Sequence, residues 1–252
     1  MASFSPPRPK RKFEPAPVGS KKKQKVAIII PAYNEGERIG RVLRAISGCK
    51  YADEIIVVSD GCTDNTAKVA ARFTNVRIVE LPRNVGKGGA MAAGVKATDA
   101  DVLAFVDADL DGLASEHVDN IIRPLLANQC EMCIGVFRGG KFWSDAAQRI
   151  TPYISGQRAM QRWLFTGIPN IHEARMGVEI ALNEHAKRVG ARVLRVVLQG
   201  VSNCHKEQKL GLAKGIQARK QMWQEMIEAK KRAMKRRRRD RWRDRAGTWP
   251  WI

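Results

Sequence analysis

Four short apolar runs rich in β-branched residues recur through the first half of the chain, and a helix-like stretch separates each from the next. The runs are Val26–Ile30, Glu54–Val58, Val76–Val79 and Asp101–Val106. Glu37–Ser47 places Ile39, Val42, Leu43 and Ile46 at helical spacing, and Gly48 closes it. Thr63–Phe73 reads as a second helix with Thr63 or Asp64 as its N-cap. Gly88–Ala97 reads as a third, built of small residues that can approach a sheet closely. Apolar strands alternating with helices predict a parallel sheet covered on both faces. In such sheets ligands bind beyond the carboxyl ends of the strands, so the chemistry is expected there.

Every strand end is polar in a particular way. Asp107-Ala-Asp109, followed by Asp111, leaves the fourth run, and carboxylates two apart can share one divalent cation, Mn²⁺ or Mg²⁺. Asn84-Val-Gly-Lys-Gly-Gly89 precedes the third helix, where backbone N–H groups and Lys87 favour an anion such as a diphosphate. It is neither a P-loop nor the Gly-x-Gly-x-x-Gly of dinucleotide binders. Pro31-Ala-Tyr-Asn-Glu35 ends the first run and Asp60-Gly-Cys-Thr-Asp64 the second. An acid placed just after a strand can accept from a base or ribose donor, though each of these segments alone could be a turn and helix cap.

The second half is less regular. A helix is expected over Glu116–Leu126, a strand over Glu131–Phe137, a helix over Ile150–Phe165 interrupted near Gly156, a helix over Gly177–Val189 and a strand over Val193–Leu198. From Gln208 to Arg245 the chain reads as one long basic helix with an apolar stripe at Ile216, Trp223, Ile227 and Met234. Cys130-Glu-Met-Cys133 lacks a second CxxC and lies in an apolar run, which reads as strand interior.

Charge divides the chain in three. Residues 1–25 carry eight basic residues and one acid, residues 206–252 sixteen and five, and residues 26–205 the remaining 21 and 19, so nearly all of the net +20 sits on the ends. The expected domains are a disordered basic tail (1–25), a catalytic body (26–205) and a basic amphipathic helix and tail (206–252). No apolar stretch is long enough to span a membrane and no apolar h-region opens the chain. Five scattered cysteines suit a reduced, cytoplasmic setting. The basic C-terminal segment could lie on an anionic membrane surface, at the inner face of the cell membrane, or pack on the body or on a second copy in a homodimer. RNA or DNA binding has no aromatic-basic reading surface to support it.

Together the four strand-end motifs resemble the family 2 glycosyltransferases with a GT-A fold, in the branch of dolichyl-phosphate mannosyltransferases and glucosyl-3-phosphoglycerate synthases. The matching segments are Ile-Ile-Ile-Pro-Ala-Tyr-Asn-Glu, Val-Val-Ser-Asp-Gly-Cys-Thr-Asp-Asn-Thr, Arg-Asn-Val-Gly-Lys-Gly-Gly-Ala and Phe-Val-Asp-Ala-Asp, and the likeness extends over 26–210. It implies an α/β, Rossmann-like, mostly parallel sheet with helices on both faces. It implies a metal-dependent, inverting and non-processive transfer of a sugar from a UDP- or GDP-sugar to a small or lipid-phosphate acceptor.

The resemblance also implies roles. Pro31, Tyr33 and Glu35 would line the nucleoside pocket and Asp60 would bind the base. Lys87, with Gly88 beside it, would reach the diphosphate, and Asp107 and Asp109 would flank the metal and the sugar nucleotide. Ser155-Gly-Gln-Arg158 resembles a segment placed near donor or acceptor in this branch, with a surface ion pair as the other reading of Arg158. Glu179 could deprotonate an acceptor hydroxyl or be a plain helix acid. His205 could be a third metal ligand, a place Asn203 could also take. A nucleotidyltransferase, a non-catalytic binding module and a polyanion-binding protein acting through its tails are the alternatives.

Overall fold

The computed structural model describes residues 23–138 and 155–203. Its strands are β1 (Val26–Ala32), β2 (Glu54–Asp60), β3 (Val76–Leu81), β4 (Val102–Phe105), β5 (Leu110–Asp111), β6 (Met132–Arg138), β7 (Arg158–Gln161), β8 (Val193–Gln199) and β9 (Ser202–Asn203). Its helices are α1 (Ile39–Ile46), α2 (Thr66–Ala70), α3 (Lys87–Lys96), α4 (Ser115–Leu126), α5 (Arg162–Thr166) and α6 (Val178–Val189), with a 3-10 turn over Ile171–Gly177. Seven strands form one sheet in the order β3-β2-β1-β4-β7-β6-β8, and β5 pairs with β9 in a separate two-stranded sheet. Of the expected disordered tail, residues 23–25 are described and are held to the body, with Lys25 N–H donating to Asp101 Oδ2 at 2.9 Å and Lys23 pairing with Asp53 at 3.2 Å; residues 1–22, the C-terminal helix and His205 fall outside the described residues. Among the described residues no helix is long and apolar enough to cross a membrane.

The parallel half follows directly from the apolar runs. β1 is buried along both faces: Val26, Ile28 and Ile30 enter one hydrophobic cluster with α1 and α4, while Ala27 and Ile29 enter the other with α3 and α6. A strand buried on both sides must be apolar without alternation, as this one is. α3 lies very close to the sheet, because a Cβ on Gly94 would stand 2.4 Å from Ile29 Cγ2. The chain lays down β1, β2 and β3 outward, then returns to place β4 on the other side of β1. The carboxyl ends of β1 and β4 therefore flank the switch point where ligands of such sheets bind.

One expectation is corrected. Within the stretch read as helix over Ile150–Phe165, the described part holds strand β7 before the short α5. β7 runs antiparallel to both neighbours, pairing Phe105 with Arg158 on one side and Cys133 with Ala159 on the other. It fills the gap between β4 and β6, whose facing backbone groups would otherwise be buried without partners. That demand overrides the local helix propensity. α5 starts where Arg162 N–H meets the Asp101 carbonyl (2.8 Å), and the Arg162 guanidinium donates to the carbonyls of Val95, Thr98 and Ala100, tying off the end of α3.

Candidate active site

The acidic motif is aimed by burial. Val106, Ala108 and Leu110 are buried and anchor the chain as it leaves β4. Asp107 and Asp109 alternate with them and stay partly accessible. Opposite stands Lys87, the first residue of α3, whose N-cap Gly86 has φ 84°. The Lys87 ammonium lies 2.7 Å from Asp107 Oδ1 and 2.7 Å from Glu179 Oε1. Glu179, in the first turn of α6, is buried. Burial works against the Lys87 charge, but Asp107 and Glu179 outweigh it and hold its pKa above the ordinary lysine range. Burial likewise opposes ionisation of Asp107, yet the Lys87 ammonium and the Gln157 amide hold its pKa below the carboxylate range.

Gln157 completes the cluster, donating through Nε2 to Asp107 Oδ2 at 2.8 Å. It is held by the Ser155 hydroxyl, which donates to Gln157 Oε1 at 3.0 Å. Gly156 between them leaves room for the ion pair: a Cβ there would lie 2.3 Å from Asp107 Oδ2 and 2.6 Å from Lys87 Nζ and would displace both.

Arg158 is no surface ion pair. It is fully buried, donating through Nε to the Ser155 carbonyl (3.1 Å) and through Nη1 to Asn183 Oδ1 (3.2 Å). Burial draws its pKa down, and the nearby Glu179 and Asp107 charges oppose that. Arg158 thus ties β7 to α6 beneath the cluster and locks the turn that carries Gln157. Two cations and two carboxylates give the interior a balanced charge.

The first two strand ends knit into one unit. Asn34, with φ 55°, accepts from Thr63 N–H at 2.9 Å, Glu35 N–H donates to Thr66 Oγ1 at 2.8 Å, and Gly36 N–H donates to Asp64 Oδ2 at 2.9 Å. Pro31 is the penultimate residue of β1, Tyr33 stands half exposed just beyond the strand, and the buried Glu35 carboxylate lies 3.7 Å from Arg38. Asp60 turns inward. Its carboxylate accepts from the N–H groups of Val85 (2.7 Å) and Gly86 (2.9 Å) and from Asn84 Nδ2 (3.1 Å), so it fixes the path of the loop before Lys87. Asp111 faces away from the cluster and pairs with Arg41 at 2.9 Å.

Gly88 also has a packing role, since a Cβ there would stand 2.7 Å from the Ile171 carbonyl oxygen. The sequence signal that would have singled out Gln157 was present in Ser155-Gly-Gln-Arg158, but its target on Asp107 depends on β7.

Asp107 and Asp109 suit a hard divalent cation: both are carboxylates, both are accessible, and one follows the other at the end of a strand. Among the described residues no three ligand-type side chains converge. A cation there would therefore complete its shell with water and with oxygens of a bound diphosphate, as Mg²⁺ commonly does. β9 pairs Asn203 with Leu110, which brings the chain beside Asp109 two residues before His205.

Comparison with known proteins agrees with the fold. The family model "Glycosyl transferase family 2" matches residues 27–185. A dolichyl-phosphate beta-glucosyltransferase of Trichomonas vaginalis is 34% identical over 116 residues, covering 41% of this chain and 34% of that protein. A glucosyl-3-phosphoglycerate synthase of Mycolicibacterium smegmatis is 35% identical over 111 residues, covering 40% and 36%. The chain thus spans about a third of the length of these curated relatives. Among solved structures, glucosyl-3-phosphoglycerate synthase from Mycobacterium tuberculosis in complex with Mn²⁺, UDP and glucosyl-3-phosphoglycerate superposes with a TM-score of 0.64 at 26% identity, covering 83% of this chain and 80% of that one.

Proposed function

Since the chain belongs to glycosyltransferase family 2, we propose that it transfers a sugar from a nucleotide-diphosphate donor to an acceptor that carries a phosphate. The observation that carries this reading is the Lys87–Asp107–Glu179 cluster at the switch point, with Asp109 beside it. Relatives named for dolichyl-phosphate, undecaprenyl-phosphate and 3-phosphoglycerate support the acceptor class. A UDP- or GDP-sugar is the proposed donor, and the presence of Mn²⁺ and UDP in a neighbouring structure supports the first.

Asp107 and Asp109 would hold Mn²⁺ or Mg²⁺, with His205 the proposed third ligand. The cation supplies charge neutralisation for the departing diphosphate. Lys87 adds a fixed positive charge on the same side, in a largely water-excluded cleft where it acts strongly. Pro31, Tyr33 and Glu35 border the nucleoside, while Asp60 serves them by holding the 84–87 loop. Glu179, on the far side of Lys87 from Asp107, is the base that takes the proton of an attacking hydroxyl in an inverting, non-processive transfer. A phosphate acceptor is already anionic and needs no such step. The basic ends would bring the enzyme to an anionic membrane surface when the acceptor is lipid-linked.

A thermal-shift series with UDP, GDP and ADP, each with Mn²⁺, tests the donor reading. Stabilisation by one of them that disappears with EDTA is expected, and no metal-dependent stabilisation by any of the three would refute it. Flotation with anionic liposomes, with and without residues 206–252, tests membrane docking: equal flotation of both forms would rule it out.

A further inference from the structure

Among the described residues, Arg175 is a cation beside the site that the cluster does not use. Arg175 lies at the end of the 3-10 turn, four residues before Glu179, with φ 41° and ψ −121°. This is a left-handed backbone state that an L side chain rarely adopts, and such outliers persist where surrounding contacts over-determine them. Here the contacts are visible. The Arg175 side chain lies over Gly86, where a Cβ would meet its Cγ at 3.0 Å and its own Cβ at 3.2 Å. Its backbone nitrogen lies 3.2 Å from where a Cβ on Gly88 would be. Its guanidinium donates through Nη2 to Asn84 Oδ1 at 3.2 Å, and Asn84 in turn donates to Asp60.

Gly86 in the loop and Gly88 in the first turn of α3 therefore both leave room for this turn. The guanidinium it delivers is exposed, and among the described residues its partner is a neutral amide oxygen rather than a carboxylate. Among the described residues the cluster's own two cations are committed: Lys87 to two carboxylates, Arg158 to a carbonyl and an amide in the interior. A strained, accessible guanidinium on the rim of the loop that leads into Lys87 is placed for an incoming anion, and its planar fork matches phosphoryl oxygens.

We propose that Arg175 is a phosphoryl-binding residue, held in a strained backbone so that its guanidinium stands over the 84–87 loop and grips the diphosphate of the donor. This deepens the transferase reading, on which the identity of the anion as a donor diphosphate rests.

The test uses the full chain and three variants. R175Q removes the charge and keeps a donor for Asn84, R175K keeps the charge without the fork, and R175G removes the side chain while relieving the backbone. Calorimetric titration with pyrophosphate, UDP and GDP, each with Mn²⁺, is expected to show affinity falling about 10- to 100-fold in R175Q and R175G, with R175K between them and wild type. Wild-type affinity should also fall more steeply with salt than that of R175Q, a signature that a merely structural residue would not give. R175G, free of the strain, should melt at or above wild type, so its loss of binding cannot come from misfolding.

Unchanged affinities in R175Q and R175G would overturn the proposal, as would a wild type that binds none of the three anions. Pyrophosphate binding that depends on Arg175, with no binding of UDP or GDP, would uphold the phosphoryl site and reject the nucleotide donor. To separate the two sources of phosphate, protein saturated with UDP is titrated with inorganic phosphate. Arg175-dependent phosphate binding there, with UDP affinity unmoved by R175Q, would reassign the grip from donor to acceptor and overturn its donor half.

Discussion

The two halves of the site are built by different means. Residues 26–111 supply strand ends whose backbone paths are fixed by local side-chain caps: Asn34 on Thr63, Asp64 on Gly36, Asp60 on Val85 and Gly86. Residues 155–203 supply long side chains that cross the cleft: Gln157 to Asp107, Glu179 to Lys87, and Arg158 to Asn183 beneath them. The first half carries its strand ends on caps drawn from its own residues. The second is positioned against the first, and Lys87 is the joint, with one carboxylate from each half.

Breaking the joint should have the largest effect. Lys87→Met leaves Asp107 and Glu179 facing each other in a mostly buried site, and loss of one partner from a buried ionic cluster costs about 3–5 kcal/mol. Urea unfolding should show it. The same variant should change the acid limb of stability. Asp107 has a native pKa below its unfolded value, so its contribution is complete above about pH 4 and is lost as pH falls through the lowered native value. Lys87 has a native pKa above its unfolded value, so its contribution is complete below about pH 10 and is lost only as pH rises through the raised value. Wild-type stability from this pair is therefore level through neutral pH. In Lys87→Met this acid loss should shrink or reverse, because a buried Asp107 that is no longer held down takes up its proton in the native state at higher pH.

A cut within the first half alone should be smaller. Asp60→Asn weakens the charge-assisted grip on the Val85 and Gly86 N–H groups and should cost about 1.5–3 kcal/mol. It should also raise hydrogen exchange in the 84–87 loop while leaving Gln157 and Glu179 protected. Gly156→Ala tests the second half: its Cβ collides with the ion pair, and overpacking of this kind costs about 1–3 kcal/mol. Transfer activity should suffer more than stability, since the collision falls on Lys87 and Asp107. Gly190→Ala provides the scale. Gly190 has φ 73°, and a Cβ there would meet nothing within 4 Å, so only the backbone penalty of about 1 kcal/mol should appear, with activity intact.

The same contrast explains what could be read in advance. The strands β1 to β4 and the helices α1, α3 and α4 were legible within a few residues because burial on both sheet faces leaves an apolar imprint in local sequence. The polar strand ends were legible as one candidate site for the same reason, since nothing apolar competes there. β7 was not legible: its four residues are strand only because β4 and β6 leave a gap, a fact about distant segments. Gln157 went unassigned with it. The glycines at 86 and 88 were visible, but their reason was not, because they make room for a turn almost 90 residues away. Arg175 carries no local mark at all, as strain is a property of the assembled structure.

The short β5–β9 pairing fixes a length scale. Ser202 and Asn203 are bound to Asp111 and Leu110, so the chain enters its basic C-terminal segment from the edge of the acidic motif. The segment 206–252 starts three residues beyond Asn203, a reach of about 10 Å even when fully extended. Any group that the first residues of that segment contribute would act within that reach of the Leu110–Asn203 pairing, a bound set by chain length and independent of charge.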